Sequence, residues 1–494
     1  MRNSYKASVA LFCLLFLGVA PCHGEGWSGG WQGNLDVGVV SFRVALVLKQ
    51  DAHGVIRGNF NNIDDGIYDE PLRNVSVQSG KLHADLPTGE VLSLRIHSSD
   101  DSLNGTYQQA HGSFQRPGRI SEMNLKRGTS FLIPRLNSDG TPQTQYFYQR
   151  PQTIPDGWQT TNLSGSHMDA KIIEAGLQKV INGTFPRIHS LVVVHQGKLV
   201  MDEYFYGYGP EDLHPIQSET KSVFSTLIGM AQDKGLVNVN QKLYDYFPEY
   251  RLDATWQPKK ELMTIRDILT MTSGFACDDR NDSQDCSWAM VQSPDWLSFA
   301  LEEPLDEGPG RRFNYCGVCL TPLGVILKRQ SGFSVPDFAK KNLFDPLEIR
   351  ESHWMQGPNE VTPVSFGLDL RPRDLAKLGY LYLNRGKWKD RSVISEEWIQ
   401  QSTAPQVFKD ETHQPYDYGY LWWEKNIPYQ GRVVRMFFAW GVGGQYLFVV
   451  PGLDLVCVVT GGNYKNSRLG YNSFHLFQDY VVAAIKDDKI VKMK

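Results

Sequence analysis

The chain contains 494 residues, which exceeds what one ordinary hydrophobic core accommodates and predicts about two or three domains. Hydrophobic residues make up 41% and charged residues 21%, so the composition is that of a globular protein able to build large cores. The formal net charge is -4, with 50 Lys+Arg against 54 Asp+Glu, and this balance gives no electrostatic reason to expect a nucleic-acid partner.

The N-terminal segment has the order of features found in a secretory signal. Arg2 and Lys6 precede the apolar run ASVALFCLLFLGVA, and small residues follow it. The run is too short to span a bilayer, and no other stretch of the chain is long and apolar enough to do so. We therefore predict a signal peptide over residues 1–24 and an exported protein, periplasmic or secreted, without a membrane span. A lipid anchor on Cys22 is the alternative, although the proline before it fits a lipid-attachment site poorly.

Residues 25–128 alternate apolar and polar residues in short runs such as FRVALVL, GVIRGNF and SLRIHSS. Turn-forming stretches such as DAHG and PTG separate these runs. The pattern is typical of short antiparallel strands and predicts an all-β barrel or sandwich domain. Residues 129–160 are rich in Pro, Thr, Gln and Asp without periodicity, so they are predicted to form a linker.

Residues 161–494 mix helical and strand patterns. MDAKIIEAGLQKVING has the spacing of an amphipathic helix, and HSLVVVHQGKLVMDEYFYG is predicted to be a hairpin that turns at Gln-Gly. Further strands surround VPGLD near the C-terminus, and NSFHLFQDYVVAAIK is predicted to be a final helix. Hairpins from both ends of this region around a helical middle predict an α+β domain, with helices packed on an antiparallel sheet.

The cysteines suggest local bridges rather than a metal site. Cys277 and Cys286 flank the polar loop CDDRNDSQDC and are predicted to form a disulfide. Cys316 and Cys319 form a C-x-x-C without a second cysteine or histidine pair at zinc spacing, so a local bridge or two packed thiols are favoured over a redox or zinc site. Cys457 lies in a strand pattern and is predicted to be a buried thiol.

The stretch HPIQSETKSVFSTLIGMAQDKG places Ser218 three positions before Lys221 at the start of an apolar helix. Residues at i and i+3 lie on one helical face, within hydrogen-bond reach of each other. The positive end of the helix dipole would also favour negative charge developing near the serine oxygen. These features predict a nucleophile and its base, whereas a capping serine is the alternative explanation. The chain contains no second Ser-x-x-Lys.

Two further motifs follow in a characteristic order. Tyr315 stands in GPGRRFNYCGVC after a Pro-Gly turn, and FAWGVGGQYLFVV gives a late strand a glycine-rich start. This order resembles that of serine β-lactamases and penicillin-binding proteins. Over about residues 155–490, the chain is similar to the β-lactamase-related, class C-like branch of that superfamily, which includes esterases, D-amino-peptidases and 6-aminohexanoate-dimer-type amide hydrolases.

The resemblance implies an acyl-enzyme mechanism. Ser218 would attack a carbonyl carbon, neutral Lys221 would take its proton, and Tyr315 would relay a proton to the leaving group and later from water. The backbone N–H groups of Ser218 and Val442 would form the oxyanion hole. This chemistry requires no metal ion and no organic cofactor.

The substrate pocket implied by the resemblance is lined by Trp440, Gly441, Tyr420 and Trp422. Core packing is the alternative role for each of the three aromatic residues.

Two departures from the family pattern bear on the substrate. Residues 315–317 are Tyr-Cys-Gly where the family often has Tyr-x-Asn, so the asparagine that helps to hold a β-lactam amide is missing. Residues 439–441 are Ala-Trp-Gly where β-lactam enzymes have Lys-Thr-Gly or His-x-Gly, so this triplet offers no cation to a substrate carboxylate. We therefore expect a serine hydrolase whose partner is a small-molecule ester or amide. The alternatives are a D,D-peptidase or β-lactamase, and a binding protein of the same fold without turnover.

Overall fold

The computed structural model describes residues 26–37, 40–97, 101–109, 120–252, 256–281, 285–410 and 415–486. The predicted signal peptide, with Cys22, lies outside the described residues. Within the described part, no helix combines the length and apolar character needed to cross a membrane. The described residues divide into two compact units, one within residues 26–35, 46–60 and 69–128 and the other within residues 36–45, 61–68 and 129–486.

The N-terminal strands form one nearly closed, barrel-like sheet in the order β4-β3-β2-β1-β9-β8-β7-β6-β5. Its strands are β1 (Gly29–Val37), β2 (Val40–Gln50), β3 (Ile56–Asn62), β4 (Ile67–Pro71), β5 (Arg73–Gln78), β6 (Lys81–Asp85), β7 (Val91–His97), β8 (Ser102–Gln108) and β9 (Ile120–Arg127). Pairing of β1 with β9, antiparallel, joins the two halves of the sheet.

Alternation of buried and exposed side chains explains why these runs form strands. In β9, Met123 and Leu125 are buried while their neighbours are exposed, and Leu82 and Ala84 show the same period of two in β6. A period of two places one face of each strand against an apolar interior. The prediction of an all-β, barrel-like fold for this region is therefore confirmed.

The other described strands are β10 (Ile188–His195), β11 (Lys198–Tyr204), β12 (His214–Pro215), β13 (His353–Trp354), β14 (Leu368–Leu370), β15 (Lys387–Trp388), β16 (Arg391–Ser392), β17 (Asp417–Tyr418), β18 (Trp423–Tyr429), β19 (Arg432–Gly441), β20 (Gln445–Val450) and β21 (Leu455–Gly461). Seven of them form an antiparallel sheet in the order β11-β10-β21-β20-β19-β18-β17. Strands from the two ends of this region therefore meet at its centre, where β10 pairs with β21. This arrangement confirms the predicted α+β fold class.

The described helices are α1 (Ala170–Ile181), α2 (Thr220–Asp233), α3 (Ile265–Leu269), α4 (Ser287–Gln292), α5 (Trp296–Glu302), α6 (Thr321–Ser331), α7 (Val335–Ala339), α8 (Pro372–Leu383), α9 (Glu396–Thr403), α10 (Ser467–Gly470) and α11 (Asn472–Leu476). The first begins where the side chain of Asp169 accepts a hydrogen bond from the backbone N–H of Lys171. Helix α8 packs on β10, β20 and β21. All residues of these three strands are buried, which accounts for their continuous apolar sequences.

Helix α2, which carries Lys221, is buried over most of its length. Every residue from Thr220 to Ala231 is buried, including polar ones. The hydroxyl of Ser222 donates to the carbonyl oxygen of Leu421 at 2.7 Å, and that of Ser225 donates to the carbonyl oxygen of Tyr420 at 2.6 Å. These bonds satisfy buried polar groups and fix the first turns of α2 in the core.

Residues 129–160, predicted to be a linker, contain no helix or strand in this fully described stretch and pack within the second unit. The hydroxyl of Tyr146 donates to Glu203 Oε1 at 2.8 Å, and the indole N–H of Trp158 donates to the carbonyl oxygen of Arg373 at 3.1 Å. Polar anchors of this kind hold an irregular segment in place without regular secondary structure.

Candidate active site

Ser218 lies in a 3₁₀ turn, Gln217–Glu219, directly before α2. Gln217 has φ of 51°, in the left-handed region that is costly for a residue with a side chain. This turn places the hydroxyl of Ser218 at the N-terminal end of a buried helix. The Nζ atom of Lys221, in the first turn of α2, is 3.0 Å from Ser218 Oγ. The predicted pair is therefore brought together.

The environment of Lys221 restricts what its side chain can contact. Only 3% of the residue is exposed, and Nζ also donates to the carbonyl oxygen of Ser365 at 3.0 Å. A buried amine with two fixed neighbours is held in one position. Proton transfer between Ser218 and Lys221 therefore needs no side-chain rearrangement.

Tyr315 lies beside Lys221, with the amine nitrogen 4.8 Å from the centre of its ring. The ring stacks on Trp423 at a centroid distance of 5.5 Å and is almost fully buried. The carbonyl oxygen of Tyr315 accepts a hydrogen bond from the backbone N–H of Asp279 at 2.8 Å. The structure thus gathers all three predicted catalytic residues, Ser218, Lys221 and Tyr315, in one place.

The end of β19 packs against the nucleophile turn through Gly441. A Cβ atom at this position would lie 2.6 Å from the carbonyl oxygen of Ile216 and 3.0 Å from Cβ of Gln217, so only glycine permits the contact. The next residue, Val442, has an exposed side chain. The segments carrying the two N–H groups predicted for the oxyanion hole, those of Ser218 and Val442, are therefore in contact.

The four predicted pocket residues fall into two groups. Gly441 and Trp440 lie at the nucleophile turn, and the half-buried ring of Trp440 stacks on Tyr446 with its centroid 5.9 Å away. Tyr420 and Trp422 are only 2% and 0% exposed. This placement gives Tyr420 and Trp422 the core-packing role rather than contact with a substrate.

Both of these buried rings lie among other core aromatic residues. Tyr420 contacts Trp398, with ring centroids 5.5 Å apart, and Trp422 contacts Tyr382 at 4.6 Å. Trp423, the residue after Trp422, is also buried, but its ring stacks on Tyr315, a contact that was not predicted.

Asp279 is the polar residue of the site that sequence reasoning missed. Its carboxylate oxygens Oδ1 and Oδ2 accept from the backbone N–H of Gly317 at 3.1 and 2.9 Å. Burial raises the pKa of the Asp279 carboxyl, and the charge of Lys221 opposes that rise. The only sequence signal was an acidic loop between two cysteines, in which no single carboxylate stood out.

The cysteines near the site are bridged. Cys277 pairs with Cys286 as predicted, with their Cα atoms 5.7 Å apart, and this bridge spans the loop that carries Asp279. Cys316 pairs with Cys319, which closes a short loop directly after Tyr315. Cys457 is a free, buried thiol, as expected from its strand.

Buried titratable residues surround the nucleophile turn. Burial raises the pKa of Glu219, next to Ser218, well above its usual range. Nδ1 of His189 lies 2.9 Å from Nε2 of His214, and burial lowers the pKa of His214 to about 4. The described ranges hold no cluster of three or more His, Cys, Asp or Glu side chains arranged for a metal ion.

The chain is similar to known proteins over the region that contains this site. Residues 173–469 match the Beta-lactamase family. The chain is 24% identical over 289 residues to a 6-aminohexanoate-dimer hydrolase of Paenarthrobacter ureafaciens, which covers 54% of this chain and 70% of that protein.

Solved structures show the same fold. A candidate 6-aminohexanoate-dimer hydrolase from Bacillus anthracis superposes with a TM-score of 0.54 at 18% identity, covering 67% of this chain and 89% of that one. A penicillin-binding protein homologue from Caulobacter crescentus gives a TM-score of 0.50 at 18% identity, covering 63% of this chain and 96% of that one.

Proposed function

The chain belongs to the Beta-lactamase family and is a serine hydrolase of that fold, and we propose that it hydrolyses a small ester or amide through an acyl-enzyme at Ser218. The observation that carries this proposal is the 3.0 Å approach of Lys221 Nζ to Ser218 Oγ, with the ring of Tyr315 beside the amine. A nucleophile within hydrogen-bond reach of its base is the arrangement that covalent acyl transfer requires.

Acylation begins when Ser218 Oγ attacks the substrate carbonyl carbon and its proton passes to neutral Lys221. The negative charge that develops on the carbonyl oxygen is stabilised by the backbone N–H groups of Ser218 and Val442. Tyr315 delivers a proton to the leaving alcohol or amine. In the second half of the reaction, water attacks the acyl carbon and gives a proton to Tyr315. The bond from the acyl carbon to Ser218 Oγ then breaks, Lys221 returns its proton to that oxygen, and the acyl group leaves as a free acid.

Two features of the site favour a substrate without a β-lactam ring or a free carboxylate. The strand beside the nucleophile carries Ala-Trp-Gly at 439–441, which has no positive side chain to pair with a substrate carboxylate. The half-buried ring of Trp440, packed with its centroid 5.8 Å from that of the buried Trp423, offers apolar contacts to an acyl or alcohol group instead. The Paenarthrobacter ureafaciens relative is named for a 6-aminohexanoate dimer, which supports an amide bond outside a β-lactam ring as the bond that is hydrolysed.

Export is part of the proposal. The bridges Cys277–Cys286 and Cys316–Cys319 support it, because disulfides persist in oxidising compartments such as the periplasm or the extracellular space. Cell fractionation followed by N-terminal sequencing is the test. A mature protein that starts close to residue 25 is expected, and an intact N-terminus in the cytosol contradicts export.

The test of the activity compares wild type with Ser218→Ala. Wild-type protein is expected to react with a fluorophosphonate at Ser218 and to hydrolyse a short-chain nitrophenyl ester, and the variant is expected to do neither. Equal rates in the two proteins overturn the assignment of the nucleophile. Labelling of Ser218 by a fluorescent penicillin supports a D,D-peptidase or β-lactamase instead. A wild-type protein inert in all three assays supports a binding protein of the same fold.

A further inference from the structure

We propose that Asp279 is a positioning residue of this site, standing where the family's Tyr-x-Asn motif carries its asparagine and holding Lys221 and Tyr315 in their working arrangement. The inference rests on the proposed function, since it assigns a role within the same acyl-transfer site. It also explains why residue 317 is glycine in this chain.

The surroundings of Gly317 show that the Asp279 carboxylate occupies the space that an asparagine side chain at residue 317 would need. A Cβ atom built on Gly317 would lie 2.6 Å from Oδ2 of Asp279 and 3.2 Å from Oγ of Ser365. An asparagine side chain leaving the backbone here would therefore collide with the Asp279 carboxylate. Because that carboxylate also accepts from the backbone N–H of Gly317, at 2.9 Å to Oδ2, the space beside residue 317 is taken by a carboxylate fixed from a different segment.

Asp279 is hydrogen-bonded to the backbone of Tyr315 and lies close to the segment that contacts Lys221. Its backbone N–H donates to the carbonyl oxygen of Tyr315 at 2.8 Å, which fixes the turn that presents the tyrosine ring. Its carboxylate lies near the Ser365 side chain, and the carbonyl oxygen of Ser365 accepts from Lys221 Nζ at 3.0 Å. Asp279 thus fixes the segment that carries Tyr315, and its carboxylate shares the space beside Gly317 with the side chain of Ser365, the residue whose carbonyl oxygen binds Lys221.

The charge of Asp279 gives it a role that asparagine does not have. The charge of Lys221 favours the ionised form of the Asp279 carboxyl, and that carboxylate in turn attracts the lysine side chain in its ammonium form. That form is produced when Lys221 takes the proton of Ser218, so a negative charge facing it stabilises the product of the first proton transfer. An ionised carboxylate also only accepts hydrogen bonds, whereas an amide both donates and accepts.

The loop is built to hold this carboxylate in place. The Cys277–Cys286 bridge closes the loop on both sides of Asp279. The hydroxyl of Ser287, the first residue of α4, donates to Oδ1 of Asp279 at 3.3 Å. Fixed neighbours of this kind limit reorganisation during the reaction.

The test uses Asp279→Asn, which keeps the shape and the acceptor oxygen but removes the charge. With the nitrophenyl ester as substrate, kcat is expected to fall about 10- to 100-fold, the range for loss of an interaction with a charged group, while KM changes little. The rising limb of the profile of kcat/KM against pH is expected to move to lower pH, because the lysine loses a neighbour that favours its protonated form. Asp279→Glu, which keeps the charge, is expected to retain more activity than Asp279→Asn.

The matched control is Asp278→Asn, which removes the adjacent carboxylate, one paired with Arg280 at 3.4 Å. It is expected to leave both kcat and the pH profile unchanged. A second comparison uses the double variant Asp279→Gly with Gly317→Asn. The first substitution removes the carboxylate beside residue 317, and the second places an asparagine side chain in that space. The double variant is expected to be more active than Gly317→Asn alone, in which the new side chain meets the carboxylate.

The outcomes separate this inference from the proposed function. If wild type hydrolyses the ester and Asp279→Asn matches it in kcat and in pH profile, Asp279 has no positioning role. The same conclusion follows if Asp279→Asn lowers kcat only in parallel with its thermal unfolding midpoint and leaves the pH profile unmoved. If wild type neither hydrolyses the ester nor reacts with the fluorophosphonate, the proposed function itself fails and the inference falls with it.

Discussion

Gly441 and Ile216 are in such close contact that a Cβ atom on Gly441 would lie 2.6 Å from the carbonyl oxygen of Ile216. A methyl group cannot be accommodated at that distance unless the strand and the nucleophile turn separate. Since the two N–H groups proposed for the oxyanion hole, those of Ser218 and Val442, belong to these two segments, separation would displace one donor from the developing oxyanion. Gly441→Ala is therefore expected to lower kcat about 100- to 1000-fold.

The matched control for this prediction is Gly452→Ala. A Cβ atom at Gly452 would have Val434 as its nearest neighbour, at an ordinary contact distance of 3.7 Å. Esterase rates and thermal unfolding midpoints measured for both variants separate a local effect from misfolding. Similar rates for Gly441→Ala and wild type contradict the placement of the oxyanion hole at the end of β19.

Replacement of Lys221 by methionine tests the base independently. Loss of a general base typically costs about 100- to 10,000-fold in rate, and we expect kcat of Lys221→Met to fall within this range. Only 3% of Lys221 is exposed, and a buried amine costs free energy because it loses its hydration. The free energy of unfolding of Lys221→Met is therefore expected to equal or exceed that of wild type. Urea unfolding measures the second quantity, and a large loss of stability would make the role of Lys221 structural.

The grouping of Ser218, Lys221 and Tyr315 could be predicted because their signals are local or ordered along the chain. Ser218 and Lys221 are three positions apart, and helical geometry alone brings such residues together. Tyr315 was identified by its position in a motif order. Asp279 was not predicted because it lies 38 positions before Gly317 in the sequence, and no local pattern specifies a contact over that separation.

The fold class could be predicted from the periodicity of apolar residues, but the contacts of individual side chains could not. The hairpin predicted to turn at Gln-Gly is β10 and β11, and Gln196 has the positive φ of such a turn. Trp422 and Trp423 are adjacent at the start of a strand, and adjacent strand residues face opposite sides. Both rings are buried, but Trp422 contacts Tyr382 whereas Trp423 stacks on Tyr315, and the sequence alone does not specify which ring meets which partner.

Two tryptophan variants test the division between core and site. Trp422→Ala removes a fully buried ring and is expected to lower the free energy of unfolding by about 3–5 kcal/mol. Trp440→Ala, at a half-buried position beside Gly441, is expected to raise KM for the ester with a smaller effect on stability. Urea unfolding together with steady-state kinetics measures both effects. A raised KM without destabilisation in Trp422→Ala would restore that residue to the substrate pocket.

Opening the Cys277–Cys286 bridge is expected to affect stability and activity together. The two cysteines are 9 positions apart, and closing a loop of that size stabilises a protein by about 2.5 kcal/mol in the chain-entropy account. The variant Cys277→Ser with Cys286→Ser should lose about this much, and kcat should fall because the loop carries Asp279. Cys457→Ala, which leaves both bridges intact, is the control and should keep wild-type kcat. An unchanged kcat in the double variant would show that the bridge does not hold the site.

The buried pair of His189 and His214 makes stability depend on pH. Burial lowers the pKa of both side chains, that of His214 to about 4, against about 6.5 in the unfolded chain. As pH falls below about 6.5, the unfolded state therefore binds protons that the folded state does not, and the free energy of unfolding decreases until pH reaches about 4. The charged and titratable groups that act on the pair are Arg43, Arg187, Asp64, Tyr206 and Tyr208.

For His214 alone, the loss of stability expected between pH 7 and pH 4 is about 3 kcal/mol. The variant His189→Leu with His214→Leu should show a correspondingly flatter dependence of the free energy of unfolding on pH. Because buried carboxyls with raised pKa values, such as Glu219, act in the opposite direction, the test is the difference in slope between variant and wild type. Urea unfolding at intervals between pH 7 and pH 4 measures that slope. The exposed His53→Asn serves as the control, and identical slopes in wild type and the paired variant would show that the histidines carry no linkage to folding.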